Sequence, residues 1–432
     1  MIHTFKAEQT DAKLNFDIRL DEDKNIYCFI GENGVGKTNL LENMAKTLIY
    51  CHSIFLRNGQ EYLRYSGLYY QHGLIDKIKD YILNLPSDIF LNDIQINKEK
   101  WFFTYFHQIS LANTNFIFDK PIVFIGARNR GYTNNVDRNH IRILGNSHDR
   151  FLEAFNRSFD YMCGKSLEDT EIADWFSSRL IVNPDFVPQH QNRGSEVANL
   201  LMLIQELEPS LEELLVKKNG QTKVDILFNE GELLFNKIPI DKLATGYVAI
   251  IKIFQEIVAA YGGWTGLFDH SADLSSVEGI VFIDEIESHL HPRWQYRIIP
   301  LLKKYFPKTT FYIATHSPIV VSSTDQGEAY ELKREGNTVT AKKLGNPREW
   351  YLADVFSQAF HVSFDAVREE PDDDAPSLTQ MLKNFSEMVK DHTNKEQNLK
   401  EDIEALYQKI LPSLAEDDPR RRSLDSLKKL VK

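Results

Sequence analysis

Residues Gly31-Glu32-Asn33-Gly34-Val35-Gly36-Lys37-Thr38 match G-x-x-x-x-G-K-[ST] without a gap. Glycines at these positions let the backbone curl so that several N–H groups converge on phosphate oxygens. A helix opening at Lys37 adds the positive end of its dipole. Lys37 supplies a point charge, and the Thr38 hydroxyl is suited to ligating magnesium. Gly31, Asn33, Gly34, Val35, Gly36, Lys37, Thr38 and Asn39 are therefore expected to line a nucleoside triphosphate.

Transfer of a γ-phosphate to water needs more than a cradle: a metal, a base and a group that contacts the phosphate. Asp284 closes one apolar run and is expected to hold Mg2+ directly or through water, together with Thr38. Glu285, one residue on, is the expected general base. His316, at the end of the next apolar run, would contact the γ-phosphate or orient the attacking water. His289 and His291 lie between them with no cysteine or other ligand cluster to complete a zinc site, so a structural or interface role is expected.

These groups need elements to carry them. Ile26–Ile30, Gly279–Ile283 and Thr310–Ala314 are continuously apolar, as central parallel strands require. Leu40, Leu41, Met44, Ala45, Leu48 and Ile49 recur at helical spacing after the glycine loop. Trp294, Ile298, Leu301 and Leu302 mark a crossover helix, with a kink expected at Pro300. Polar groups at the carboxyl ends of neighbouring parallel strands are where an open α/β sheet places its ligand. Two strands near residues 2–7 and 14–20 are expected at the edge beside the phosphate-loop strand. Residues 51–118 are rich in Tyr, Phe and Leu and are expected to be mostly helical. Pro121–Ala127 predicts a strand returning to the core, 150–215 further helices, and 223–228 with 232–235 a hairpin. After the acidic stretch Glu369–Asp374, Leu399, Ile403, Leu406 and Ile410 form an apolar stripe on a charged helix. That stripe docks either on its own core or on another chain.

A chain of 432 residues allows two or three domains, and 42% apolar with 26% charged residues is ordinary for a globular protein. No apolar run approaches the length of a bilayer span, so no membrane partner is expected. Residues 1–13 lack the layout of a secretory signal, and Cys28, Cys51 and Cys163 show no paired spacing. A cytoplasmic protein with reduced thiols is the resulting expectation. A formal net charge of −12 argues against non-specific coating of nucleic acid. It leaves room for transient DNA contact at local basic clusters, Arg128 to Arg150 or Arg420 to Lys432, each of which also reads as a solvated face.

The run Asp284-Glu285-Ile286-Glu287-Ser288-His289-Leu290-His291-Pro292, followed by Ala314-Thr315-His316-Ser317-Pro318, resembles the ABC-type ATPases of the SMC, RecF and OLD group. With the phosphate loop, these motifs span residues 25–320. The resemblance implies an α/β fold of ABC-type P-loop ATPase class with a mixed or parallel central sheet, using ATP and Mg2+. It also implies a signature loop that caps ATP held by a second copy of the chain. The matching segment is Leu243, Ala244, Thr245 and Gly246, in which Ala244 stands for the family's serine and Tyr247 for its acidic residue, so slow turnover is implied. No glutamine stands at the expected glutamine loop, Asp119–Gly131, where Arg128 and Asn129 are the candidates.

The implied organisation is an ATPase core of 1–50 and 220–345, and a largely helical insertion at 51–219 with a returning core strand near 121–127. A helical region, 346–432, follows for partner docking or oligomerisation. The short tail and compact insert resemble the ATPase subunits of Septu-type antiphage systems. The implied partners are a second copy, head to tail, or a higher oligomer, and a separate nuclease effector of HNH type. Two other members of the group remain as alternatives: a RecF- or SMC-like repair ATPase that clamps DNA, and a PARIS-type sensor with a Toprim effector.

Overall fold

The computed structural model describes residues 1–52, 85–86, 88–96, 102–103, 109–110, 116–132, 144–162, 164, 172–180, 193–218, 221–224, 226–229, 232–235, 237–268, 273–362, 378–393, 399–414 and 419–431. They divide into two compact units, 1–361 and 362–432. The first unit opens with β1 (Thr4–Ala7), β2 (Asn15–Arg19), β3 (Ile26–Ile30) and α1 (Lys37–Tyr50). The short strands β4 (Ile89–Leu91), β5 (Ile94–Gln95), β6 (Phe102–Phe103) and β7 (Ile109–Ser110) lead to β8 (Ile122–Ile125). Helices α2 (Ser147–Met162), α3 (Ile172–Leu180) and α4 (Gly194–Leu207) follow. Next come β9 (Leu215–Lys218), β10 (Gln221–Val224), β11 (Ile226–Asn229), β12 (Glu232–Phe235) and β13 (Ile238–Pro239). The unit finishes with α5 (Thr245–Phe268), β14 (Ile280–Ile283), α6 (Pro292–Tyr305), β15 (Thr310–Ala314), α7 (Pro318–Val321), β16 (Ala329–Glu335), β17 (Thr338–Lys343) and α8 (Leu352–Ala359).

The principal sheet runs β5-β4-β1-β2-β17-β16-β3-β15-β14-β8. β3, β15, β14 and β8 are mutually parallel, whereas β1, β2, β4 and β5 pair antiparallel, giving a mixed sheet. Every residue of β3, β15, β14 and β8 is buried, as a two-sided parallel sheet demands. Register places Tyr27, Tyr312, Phe282 and Phe124 side by side on successive strands. Their rings stack at 5.1, 5.3 and 6.2 Å, an apolar ladder across the four strands whose ends carry the site. Helix α1 packs on β15, β14 and β8, and α2 packs on β8 and α5.

Several expectations are corrected. The strands β1 and β2 do not adjoin β3, because the β16–β17 hairpin, turning at Gly336 with φ 60°, inserts between them. Residues 223–228 are not one strand: β10 pairs with β9, and the hairpin partner of β12 begins at Ile226. Most of 51–118 lies outside the described residues, and the strands β4 and β5 extend the sheet beyond β1. Pro300 lies inside α6, on its solvent side, and the helix spans Pro292–Tyr305.

The second unit contains α9 (Leu378–Thr393), α10 (Lys400–Ile410) and α11 (Pro419–Lys428). Ile403 and Ile410 of the apolar stripe are buried against Met381, Phe385, Val389, Leu414 and Leu424, with Leu399 and Leu406 packed beside them. The stripe is therefore consumed by the unit's own core. Among the described residues no helix is long and apolar enough to cross a membrane.

Candidate functional site

The phosphate loop leaves the sheet at the end of β3 and enters α1 through Gly36, whose φ of 111° favours glycine. A Cβ there would also stand 2.8 Å from Leu14 Cδ1, a side-chain end that can move aside, so the positive φ is what calls for glycine. Gly34 faces open space, with no heavy atom within 4 Å of the point where a Cβ would stand. Lys37 is 6% exposed and donates to Gly31 O at 2.8 Å and Glu32 O at 3.0 Å. Burial pulls its ammonium below the usual range, against the opposing pull of Asp284, Glu287 and Glu285. Asn33 is exposed, Val35 is buried, and Asn39 is half-buried with its Oδ1 accepting from Asn43 Nδ2 at 3.1 Å.

β14 delivers Asp284 to the same place. The Thr38 hydroxyl donates to Asp284 Oδ2 at 2.9 Å. Burial raises the Asp284 carboxyl, and the Thr38 hydrogen bond opposes that rise. Glu285 has φ 45°, uncommon for a residue with a side chain, and accepts from Ser288 Oγ at 2.9 Å. The donor set fits the expected ligands: a hydroxyl and a carboxylate suit Mg2+, which binds few protein oxygens alongside phosphate. Lys37 with the loop N–H groups suits the phosphates.

β15 brings the third component. Glu287 accepts from the Thr315 hydroxyl at 2.5 Å and from the His316 N–H at 2.6 Å, so one carboxylate braces the turn at the end of β15. His316 itself is exposed, and its imidazole is held below the usual range by burial, then by Lys37. Ser317 Oγ caps α7 by accepting from Ile319 N and Val320 N, each at 3.2 Å. The bracing role of Glu287 is invisible in sequence, where the residue reads only as one more acid in the motif. His291 proves to be a helix cap, its Nδ1 accepting from Arg293 N at 3.2 Å.

The 243–246 segment enters α5. Ala244 and Thr245 are exposed, whereas Leu243, Gly246 and Tyr247 are half-buried. A Cβ at Gly246 would come within 2.9 Å of His289 O and 3.3 Å of the Trp294 ring. Tyr247 packs edge-on against Trp294 at 4.9 Å, which accounts for an aromatic residue at that position. Trp294 in turn donates to Glu208 at 2.9 Å.

The first basic cluster does not form one surface. Arg130 is fully buried under the Asp284 turn, and Arg150 pairs with buried Glu196 at 3.0 Å. Exposed Arg128 donates to Gly164 O at 2.7 Å, and Arg138 and Arg142 lie outside the described residues. Asn129 is exposed with φ 53°. Cys28 and Cys51 are buried thiols, and burial pushes Cys51 up to about 12.

Residues 267–322 match a family model described as "AAA domain, putative AbiEii toxin, Type IV TA system". The "Septu protein PtuA" of Bacillus mycoides (strain KBAB4) is 24% identical over 421 residues, which cover 95% of this chain and 49% of that protein. The chain thus spans about half the length of that relative. The "Septu protein PtuA" of Bacillus thuringiensis is 24% identical over 331 residues, covering 74% of this chain and 72% of its own. The "Retron Ec83 probable ATPase" of Escherichia coli is 40% identical over 150 residues, 34% of this chain and 26% of that protein. Similarity to PtuA thus extends along nearly the whole sequence, and the mixed sheet ending in a phosphate loop resembles the ABC-type ATPases.

Proposed function

We propose that the chain binds ATP with Mg2+, hydrolyses it slowly, and pairs head to tail so that the 243–246 segment of one copy closes over the ATP of the other. In this reading it is the scaffold subunit that controls a separate HNH-type nuclease effector in antiphage defence. The observation carrying the reading is the hydrogen bond from Thr38 to Asp284, with Lys37 in electrostatic reach of Asp284 and both Lys37 and His316 in reach of Glu285 and Glu287.

Mg2+, held by Thr38 and Asp284, would polarise the phosphate oxygens and neutralise their charge. Lys37 releases Gly31 O and Glu32 O to bind a phosphate oxygen. Glu285 takes the proton of the attacking water. His316, kept neutral at pH 7 by its depressed pKa, orients that water or contacts the γ-phosphate. Exposure of Ala244 and Thr245 supports closure in trans, since a helix N-terminus free of its own chain can face a partner's phosphate.

The defence role is supported by the relatedness to proteins named for Septu and retron systems. Effector docking belongs to the outside of the 362–432 unit, because the apolar stripe is occupied within it. A DNA-clamping reading draws support from Arg420, Arg422 and Lys429, which are exposed on or beside α11.

The test is ATP binding and release of inorganic phosphate by the full chain, beside Lys37→Ala. Expected are Mg2+-dependent binding and slow phosphate release by the wild type, with both lost in the variant. Equal binding by the variant would overturn the reading. DNA binding with a steep salt dependence would favour the clamp instead.

A further inference from the structure

Arg130 sits in the loop that leaves β8, a polar stretch that reads as surface, yet it is fully buried. Its guanidinium makes four hydrogen bonds, all to backbone carbonyls. Nε and Nη2 reach Gly126 O at 3.2 and 2.8 Å, Nη1 reaches Glu285 O at 3.0 Å, and Nη2 reaches Asp284 O at 2.5 Å. The planar fork therefore holds the two consecutive peptide carbonyls of the acidic turn against the end of β8. Glu285 is the residue there with φ 45°, a conformation that must be imposed from outside because a side chain disfavours it.

The far end of the loop is anchored as well. Buried Lys252 of α5 donates to Tyr132 O, and Gly131 lies so close to His289 that a Cβ would stand 2.8 Å from its ring. The Tyr132 and His289 rings meet edge to face at 5.7 Å. Burial lowers the Arg130 pKa to about 10, so it is still charged at neutral pH. Asp284, Glu287 and Glu285 favour that charge.

We propose that Arg130 is a positioning residue: its forked grip on the carbonyls of Asp284 and Glu285 fixes the backbone of the acidic turn so that the Glu285 carboxylate meets the attacking water. This rests on the ATP-hydrolysing function proposed above. A purely electrostatic role, balancing nearby carboxylates, needs only a cation, whereas a positioning role needs the fork. The two differ in what lysine can replace.

The experiment compares the full-length wild type with Arg130→Lys and Arg130→Ala, measuring ATP affinity at equilibrium, single-turnover hydrolysis, and thermal melting as a check of folding. Expected is single-turnover hydrolysis about 100-fold slower in Arg130→Lys, since small misplacements of a reacting group have that effect. ATP affinity should stay within about threefold, which is under 1 kcal/mol. Millimolar guanidinium should restore part of the rate to Arg130→Ala, and methylammonium should not. Arg130→Lys hydrolysing at the wild-type rate would overturn the inference, as would ATP affinity falling in step with hydrolysis. If the alanine variant does not fold, the lysine variant decides alone by the same split. A wild type that neither binds nor hydrolyses ATP would remove the function proposed above, and this inference with it. A wild type that hydrolyses, beside an unaffected lysine variant, removes only the inference.

Discussion

The Thr38 hydroxyl and the Asp284 carboxylate, 246 positions apart in the chain, are joined by a 2.9 Å hydrogen bond. One stands at the start of α1 and the other at the end of β14, two strands away from β3 in the sheet. If the pair is a Mg2+ site, Thr38→Val and Asp284→Asn should each weaken ATP binding in the presence of Mg2+ by about 10- to 100-fold. Binding measured with a chelator present should change much less. Equal losses with and without Mg2+ would mean that the bond is only structural.

Glu287 accepts from both Thr315 and His316, so replacing it with Gln puts an amide donor against one of two existing donors. The loss should be about 1 kcal/mol of stability, the net worth of one hydrogen bond lost at a half-buried carboxylate. Phosphate release should slow with ATP affinity kept, because the turn that carries His316 loses its brace. Chemical denaturation and single-turnover kinetics on Glu287→Gln check the two parts separately.

Glu42, half-buried one helical turn after Thr38, has a carboxyl pushed up to about 7 by burial, with Lys46 opposing. A raised pKa means that the folded chain holds this proton more tightly than the unfolded one. Its contribution to stability is full below the ordinary value of 4.5 and is lost as pH rises through about 7. Glu42→Gln should therefore gain stability over the wild type as pH rises across that window. At pH 8 the gain should be about 1–2 kcal/mol once partial solvation is allowed for. Denaturation midpoints at pH 5 and pH 8 give the comparison, and a constant difference would contradict it.

Much of the fold was legible where information is contiguous. The phosphate loop, the apolar runs that became β3, β14 and β15, and the acids and histidine at their ends all lie within short stretches. What escaped was non-local. Insertion of β16 and β17 beside β3 depends on which edge finds a partner, and β16 ends in an exposed Lys-Arg-Glu run that gives no sign of a neighbour. Arg130 and Glu287 escaped for a different reason: charged side chains in polar loops read as solvated, and only the folded backbone shows the carbonyls and N–H groups they serve. The apolar stripe of α10 fitted two destinations equally, and its burial by α9 and α11 is a matter of tertiary packing.

Ala244 is exposed at the entrance to α5, so Ala244→Asp should change stability by no more than about 0.5 kcal/mol. It should nonetheless abolish ATP-dependent self-association, since a carboxylate would face the partner's phosphates. Melting curves beside light scattering with and without ATP separate fold from assembly. Unimpaired association would move the trans contact away from this segment.

Closure of two chains over ATP is the central claim. Sedimentation velocity of Glu285→Gln, with the 50.1 kDa chain as the monomer, is the direct measurement. With Mg2+ and ATP the boundary should shift to a species of at least two chains, and it should stay monomeric without nucleotide or when Lys37→Ala is added. A single monomeric boundary for Glu285→Gln under saturating ATP and Mg2+ would contradict it.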